Sequence, residues 1–288
     1  MHMIRKAHKK LNRSMGGDLL LYIVLIVFGA VMALPLIYAI SNAFKPLDEL
    51  WLFPPRFFVR NPTLKNFSDL FRIMSNTWVP FSRYIFNTLF VSVVGTAGHI
   101  ILSSLCAFAL AKHDFPGSKI LFQIVVLALM FHAAVTVIPN FIIMSYLNWI
   151  NTYKALIIPA FGSSLGLYLM KQFMEQMIPD SILESAKIDG SSEWRTFWTI
   201  VMPMVKPAWL TLIIFSFQSL WNMGTSILIQ KEQLKPLNYA LQQVLAGGIA
   251  RAGAGSAATV MMMSLPILIF LFTQSNIVET MSTSGMKE

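Results

Sequence analysis

The sequence is poor in charge: Asp, Glu, Lys and Arg make up 12% of its 288 residues, and they gather between long uncharged runs. A soluble domain of this length spreads charge over every exposed face, so the distribution excludes an ordinary water-soluble globule and points to lipid as the solvent. Cysteine is nearly missing. Cys106 stands alone inside an apolar run, which excludes an intramolecular disulfide and leaves plain packing as its expected role. No HExxH helix, no intramembrane pair of carboxylates and no Cys/His cluster occurs, so neither a metal site nor a catalytic constellation is expected. A GxxxxGK[ST] loop to cradle nucleotide phosphates is also absent, and any ATP hydrolysis must belong to another chain. The nearest glycine-rich stretch, 247–255, has no lysine and reads as a flexible connector. No internal repeat and no low-complexity segment is visible.

Apolar side chains fill the space that charge leaves, at 56% of the chain and a mean hydropathy of +0.62. A hydrocarbon layer about 30 Å thick needs about 20 residues of helix. The gaps between charges supply about six such stretches, at 19–40, 84–111, 120–143, 155–173, 207–229 and 257–273. The expected fold is therefore all-α, a polytopic membrane helical bundle over 19–278, with tails at 1–18 and 279–288. The first stretch is too long for a removable signal peptide and lacks its small-residue cleavage site, so it is expected to stay as an anchor. Lys171 fits inside the fourth by snorkelling to the headgroups.

The net charge of +9 does not indicate nucleic acid, because the basic residues form no face with interleaved aromatics and lie beside apolar segments. They read as topology signals. Arg5, Lys6, Lys9, Lys10 and Arg13 precede the first helix against Asp18 alone, which places both termini in the cytoplasm if there are six crossings. The loops at 112–119 and 171–206 are then inside, and those at 45–83, 148–154 and 230–251 outside. The first outside loop is itself basic, with Lys45, Arg56, Arg60, Lys65, Arg72 and Arg83; long loops obey the charge rule less well, and the first helix dominates. In that loop Pro46, Pro54, Pro55 and Pro62 exclude a continuous helix, and Trp51, Phe53, Phe57 and Phe58 predict an ordered segment at headgroup level or a partner surface.

One loop, 178–206, has the composition of soluble structure. Ser181 with Glu184 predicts a capping box opening a short helix over 181–189, and Gly190 suits its end because that position favours a positive φ. Ser191 or Ser192 then caps a second helix that Pro203 and Pro207 limit. From the residues alone this is either a solvated connector or a docking element. Glu184, Ser185, Ala186, Asp189, Gly190, Ile200, Pro203 and Pro207, at their spacing, resemble the EAA loop of ABC importer permeases. Ser185 departs from the middle alanine and Met202 from a frequent leucine.

The rest of the chain is similar, nearly end to end, to the shorter, EAA-bearing permease of the maltose-type carbohydrate importers. The likeness runs through Asn87 and Thr88, 107–111, Phe115, Pro116 and Gly117, 147–155, Phe217, Gln218, Trp221 and Asn222, and the tail 278–288, where Thr280 replaces a usual glycine. The 44–58 stretch looks most like permeases for plant or algal oligosaccharides, some of them acidic.

This resemblance implies a type I permease fold with the first helix peripheral, in a bacterial or archaeal cytoplasmic membrane. It implies a heterodimer with a second permease, two ATPase subunits carrying ATP and Mg, and a solute-binding protein that delivers sugar, with no cofactor in this chain and no nucleic-acid partner. Glu184, Ser185, Ala186, Asp189, Gly190 and Pro203 would form the ATPase-coupling element, and Gly247, Gly248 and Arg251 a loop that contacts the binding protein. By side-chain chemistry Asn140, Gln218, Trp221 and Asn222 are candidates for the sugar pathway, combining hydrogen-bonding groups with a flat apolar surface. Two other classes stay open. A proton- or ion-coupled transporter would need ionisable groups at the midplane, where only His99 and His132 stand, more simply read as interhelical hydrogen-bonders or cavity liners. A membrane-embedded enzyme would need the catalytic constellation that is missing.

Overall fold

The computed structural model describes residues 15–75, 78–131, 133–224 and 227–284. The tail at 1–14, His132 and 285–288 lie outside the described residues. Fourteen α-helices and no strand occur among the described residues. Helix α1, Met15–Phe44, is followed by the single turn α2, Leu47–Leu50, and by α3, Lys65–Ser75. Helix α4, Phe81–Lys112, is the longest uninterrupted central element. Then come α5, Ser118–Ala128, α6, Ala133–Tyr146, α7, Lys154–Phe161, α8, Ser164–Met177, α9, Asp180–Ile188, and α10, Glu193–Thr196. A π-helical turn, Phe197–Val201, leads to α11, Met202–Met204, and α12, Lys206–Trp221; α13, Leu237–Leu245, and α14, Ala252–Ser284, complete the chain.

Three helices are long and apolar enough to cross a membrane unaided: Gly16–Phe44, Phe81–Lys112 and Ala252–Gln274. The other expected spans are broken. The third is divided between α5 and α6, and the fourth between α7 and α8 at Gly162 and Ser163. Pro159 closes α7, its carbonyl accepting from the Gly162 amide at 3.2 Å, and Ser163 then turns to extended backbone. The fifth is bent, Glu193–Met204 and Lys206–Trp221 meeting at 79°. It ends at Trp221, short of the expected 229, because the chain beyond is tied to Asn151, whose amide donates to the Leu228 carbonyl at 2.9 Å. The sixth starts at Ala252, earlier than read, and stays helical to Ser284, so the region expected as a tail from 279 is helix as far as it is described.

Helix α1 exposes nearly all of its apolar side chains and packs mainly along α14 and α3, the peripheral placement expected of it. Of three buried apolar clusters, one joins the middle of the bundle through Val91, Leu156 and Leu220, and two lie toward its opposite ends. One joins α3, the start of α4, the end of α12, α13 and the start of α14 through Leu70, Tyr84, Trp221, Leu241 and Ala257. The other joins the far end of α4 with α8 and the start of α12 through Phe108, Met174, Phe197, Val201 and Ala208. Cys106, expected to pack, is exposed on α4.

The proline-rich segment after α1 is ordered by two buried charges. Lys45 donates to Asn42 Oδ1 and to the Arg56 carbonyl, while Glu49 accepts from the Arg60 amide at 2.8 Å. Asn66 Nδ2 ties α3 to the end of α1 through the Ala43 and Lys45 carbonyls at 2.9 and 2.7 Å. Trp51, Phe53 and Phe58 are left facing outward.

Candidate functional site

The first candidate is the elbow that follows α8. Pro179 occupies the N-cap of α9, and Asp180 in the first turn meets Lys112 Nζ at 2.7 Å. The same ammonium donates to the Ile178 carbonyl at 2.7 Å, so the end of α4 is fastened to the start of α9. A carboxylate at that position also complements the positive end of the helix dipole. The expected capping box does not form. The helix starts at Asp180, which puts Ser181 inside it, where its carbonyl accepts from Ser185 Oγ at 2.8 Å and Glu184 projects to the surface.

The other end of α9 follows the expectation for Gly190 in detail. Its φ is +75°, its amide donates to the Lys187 carbonyl at 3.1 Å, and the Ser191 amide reaches the Ala186 carbonyl at 2.9 Å. That pair of bonds satisfies two carbonyls a helix end otherwise leaves open. Ser192 then caps α10 by accepting from the Arg195 amide at 3.3 Å, as one of the two serines was expected to. Ala186 is buried, whereas Glu184, Ser185, Asp189 and Gly190 are exposed together on one short element; Pro203 is exposed in α11 beyond the π turn. Ile188 and Trp194 stand 87% and 63% exposed beside them, an apolar surface left open among the described residues.

The second candidate is a cavity of about 750 Å³ walled by α4, α6, α7, α8 and α12. Most of its wall is apolar; the polar groups belong to His99, Asn140, Ser163, Ser216 and Ser219. Against it runs a row of which the sequence reading named only Thr88 and His99, the latter as a hydrogen-bonder or cavity liner: α4 buries Thr88, Ser92, Thr96, His99, Ser103 and Ser104. Thr88, Ser92, Thr96, His99 and Ser103 recur every three or four residues on one helix face, with Ser104 about 100° further round, a signal that was visible once the long span was read for its polar residues. At one end the row is satisfied, Thr88 Oγ1 accepting from the Leu237 amide at 2.7 Å, and the adjacent Asn87 accepts from Tyr153 OH at 2.6 Å. Further along, Ser92 Oγ, Thr96 Oγ1, His99 Nε2 and Ser104 Oγ are buried without a partner among the described residues.

His99 fits there only because Gly166 has no side chain: a Cβ on Gly166 would overlap Nε2. Gly166→Ala is therefore expected to destabilise the folded chain by about 1–3 kcal/mol through overpacking. The check is thermal unfolding of the detergent-purified protein, with His99→Ala in the same chain restoring most of the loss.

The four sidechains proposed from chemistry as a sugar pathway fall in different surroundings. Asn140 faces the large cavity, and Gln218 a smaller one of about 200 Å³ between α12 and α14. Trp221 is buried, with its indole N–H committed to the Met262 carbonyl at 2.8 Å. Asn222 ends α12, and its carbonyl accepts from Asn238 Nδ2 at 2.7 Å. At the same end of the bundle, Gly247, Gly248 and Arg251 form a tight turn before α14. Arg251 lines, with Asp48, Lys65, Asp69 and Arg72, a polar cavity of about 390 Å³. Nearby, burial pulls the Lys235 pKa down, but its hydrogen bonds to Glu232 and Tyr239 and the Glu232 charge outweigh that and leave it raised. No group of His, Cys, Asp and Glu suited to a metal occurs among the described residues.

Comparison with known proteins gives one consistent picture. The family model for a binding-protein-dependent transport system inner membrane component matches residues 18–282. The polygalacturonan/rhamnogalacturonan transport system permease protein YtcP of Bacillus subtilis is 31% identical over 268 residues, 88% of this chain and 91% of that one. The sn-glycerol-3-phosphate transport system permease protein UgpE of Yersinia enterocolitica is 30% identical over 210 residues, 72% of this chain and 74% of its own. A chain from the crystal structure of a bacterial ABC transporter involved in the import of the acidic polysaccharide alginate superposes with a TM-score of 0.77. That chain is 21% identical, and the match covers 92% of this chain and 99% of that one.

Proposed function

This chain belongs to the family of binding-protein-dependent transport system inner membrane components, and from that premise we propose that it carries an oligosaccharide across the membrane as one half of an ATP-driven importer. The observation that carries the coupling part of this reading is the elbow: a capped nine-residue helix, α9, too short to persist alone, seated on the ends of α4, α8 and α12 with Glu184 outward. Such an element needs a surface to dock on, and a cytoplasmic ATPase supplies one. Two ATPase copies bind ATP and Mg; this chain contributes no catalytic group. Glu184, Ser185, Asp189 and Gly190 meet the ATPase, with Ala186 and Pro203 shaping the support beneath.

A displacement of α9 is passed on in two directions. Ile178 and Pro179 alone separate it from α8, and Lys112 clamps it to α4, so both walls of the large cavity move when the ATPase moves. That cavity, shared with a second permease, is the sugar route; Asn140 offers it an amide, and the apolar wall suits the C–H faces of a sugar ring. The loop at Gly247, Gly248 and Arg251 faces outward toward the solute-binding protein, and both termini are cytoplasmic. The cargo class follows relatives named for transport of polygalacturonan/rhamnogalacturonan and of sn-glycerol-3-phosphate: a hydroxyl-rich, acidic oligosaccharide.

The test is reconstitution of the co-encoded permeases, ATPase and binding protein in lipid vesicles. Uptake of acidic oligosaccharide is expected to require ATP and loaded binding protein and to survive collapse of the proton gradient. Uptake without the ATPase, or its abolition by a protonophore, would instead establish the ion-coupled alternative.

A further inference from the structure

Four polar atoms on one membrane helix are buried and unpartnered among the described residues, at Ser92, Thr96 and His99 on one face and at Ser104 further round. Each costs about 1–3 kcal/mol relative to a satisfied group, so packing alone is a poor reason for their presence. An apolar residue of similar size would pack in the same space without that penalty. His99 differs from the other three in lining the 750 Å³ cavity, and in being held off its neighbour only by a glycine.

The cover over Nε2 is also the part of the structure best placed to move. Gly166 belongs to the first turn of α8, next to the break at Gly162 and Ser163, and the other end of α8 runs directly into α9. Rotation of α8 about that break lifts Gly166 from the imidazole and opens the nitrogen to the cavity. In a neutral imidazole Nε2 either donates or accepts according to the tautomer, and a sugar hydroxyl can take the complementary part in either case. Asn140, on α6 across the same cavity, supplies a second group of that kind.

We infer that His99 is a substrate-contacting residue for a hydroxyl-bearing sugar, covered by Gly166 in the conformation seen here and uncovered when α8 swings. This rests on the importer reading above and adds to it a contact contributed by this chain's α4. Loaded binding protein reaches the importer before sugar meets His99, so the contact affects the transport step and not delivery.

The test uses the complete importer in lipid vesicles, with uptake expressed per assembled complex. His99→Phe keeps the ring and removes both nitrogens. It is expected to lower maximal uptake about tenfold, the loss of one hydrogen bond made during passage. The half-saturating concentration of loaded binding protein should not change. His99→Gln, which restores a donor and an acceptor, is expected to return uptake to within about threefold of wild type. Wild-type uptake by the phenylalanine variant overturns the inference, as does an equal loss in the phenylalanine and glutamine variants. If the wild-type complex moves no sugar, the importer reading itself fails and takes this inference with it.

Discussion

Gly190→Val is expected to reduce uptake and binding-protein-stimulated ATP hydrolysis about hundredfold, whereas Gly190→Asn should keep both within about threefold of wild type. At φ +75° a β-branched side chain is badly placed, while asparagine adopts this region with little strain. The loss is not a clash inside the chain, since nothing lies within 4 Å of a Cβ built at Gly190. Valine acts by refusing the turn, which breaks the bonds from Gly190 and Ser191 back to Lys187 and Ala186 and re-aims α10 relative to α9. Gly190→Asp separates backbone from charge: it tolerates the same φ as asparagine, so any further loss beyond the asparagine variant reports a negative charge meeting the ATPase. Measuring both activities in reconstituted complexes decides the matter. A valine variant that assembles and couples normally would make the elbow a solvated connector.

The sequence made that turn legible because glycine after a capped helix has a specific backbone meaning, whatever surrounds it. The start of the same helix was read less well. Ser181 and Glu184 have capping-box spacing, but Pro179 already restricts the backbone, and Lys112, distant in sequence, rewards a carboxylate at Asp180; the helix therefore begins one residue earlier. The spans divide in the same way. Those over 16–44, 81–112 and 252–274 are continuous because no break competes with their apolar runs, although Pro35 and Pro266 lie inside two of them. The third and fourth are apolar too, yet they break, between α5 and α6 and at Gly162 and Ser163, while Pro139 and Pro159 lie inside α6 and α7; hydropathy carries no term for where a helix stops bonding to itself. The cavity was the least legible part. It needs α8 to lie against α4 with Gly166 on His99, a contact between residues far apart in sequence that no local pattern encodes.

Trp221→Ala is expected to lower membrane abundance and uptake together, with a stability loss of about 3–5 kcal/mol, which makes this residue a support of the bundle. The reason lies in the partner of its indole. Met262 is in α14, and four residues on stands Pro266, which has no N–H to return to the Met262 carbonyl. Inside a membrane an orphaned backbone carbonyl is costly, and Trp221 Nε1 fills the gap at 2.8 Å. The ring also stacks on Phe217 with centroids 5.7 Å apart and planes 17° from parallel, so deletion removes packing as well as the donor. Two further variants separate these parts. Trp221→Phe keeps most of the volume and loses the donor, for an expected cost of about 1–3 kcal/mol. Pro266→Ala restores an amide that the Met262 carbonyl can accept, and in that background Trp221→Phe should cost clearly less. Thermal unfolding of the purified complex reads the cycle. Undiminished abundance with lost uptake in Trp221→Ala would return this side chain to the sugar pathway, because a ring that only holds α12 to α14 cannot be removed without loosening both.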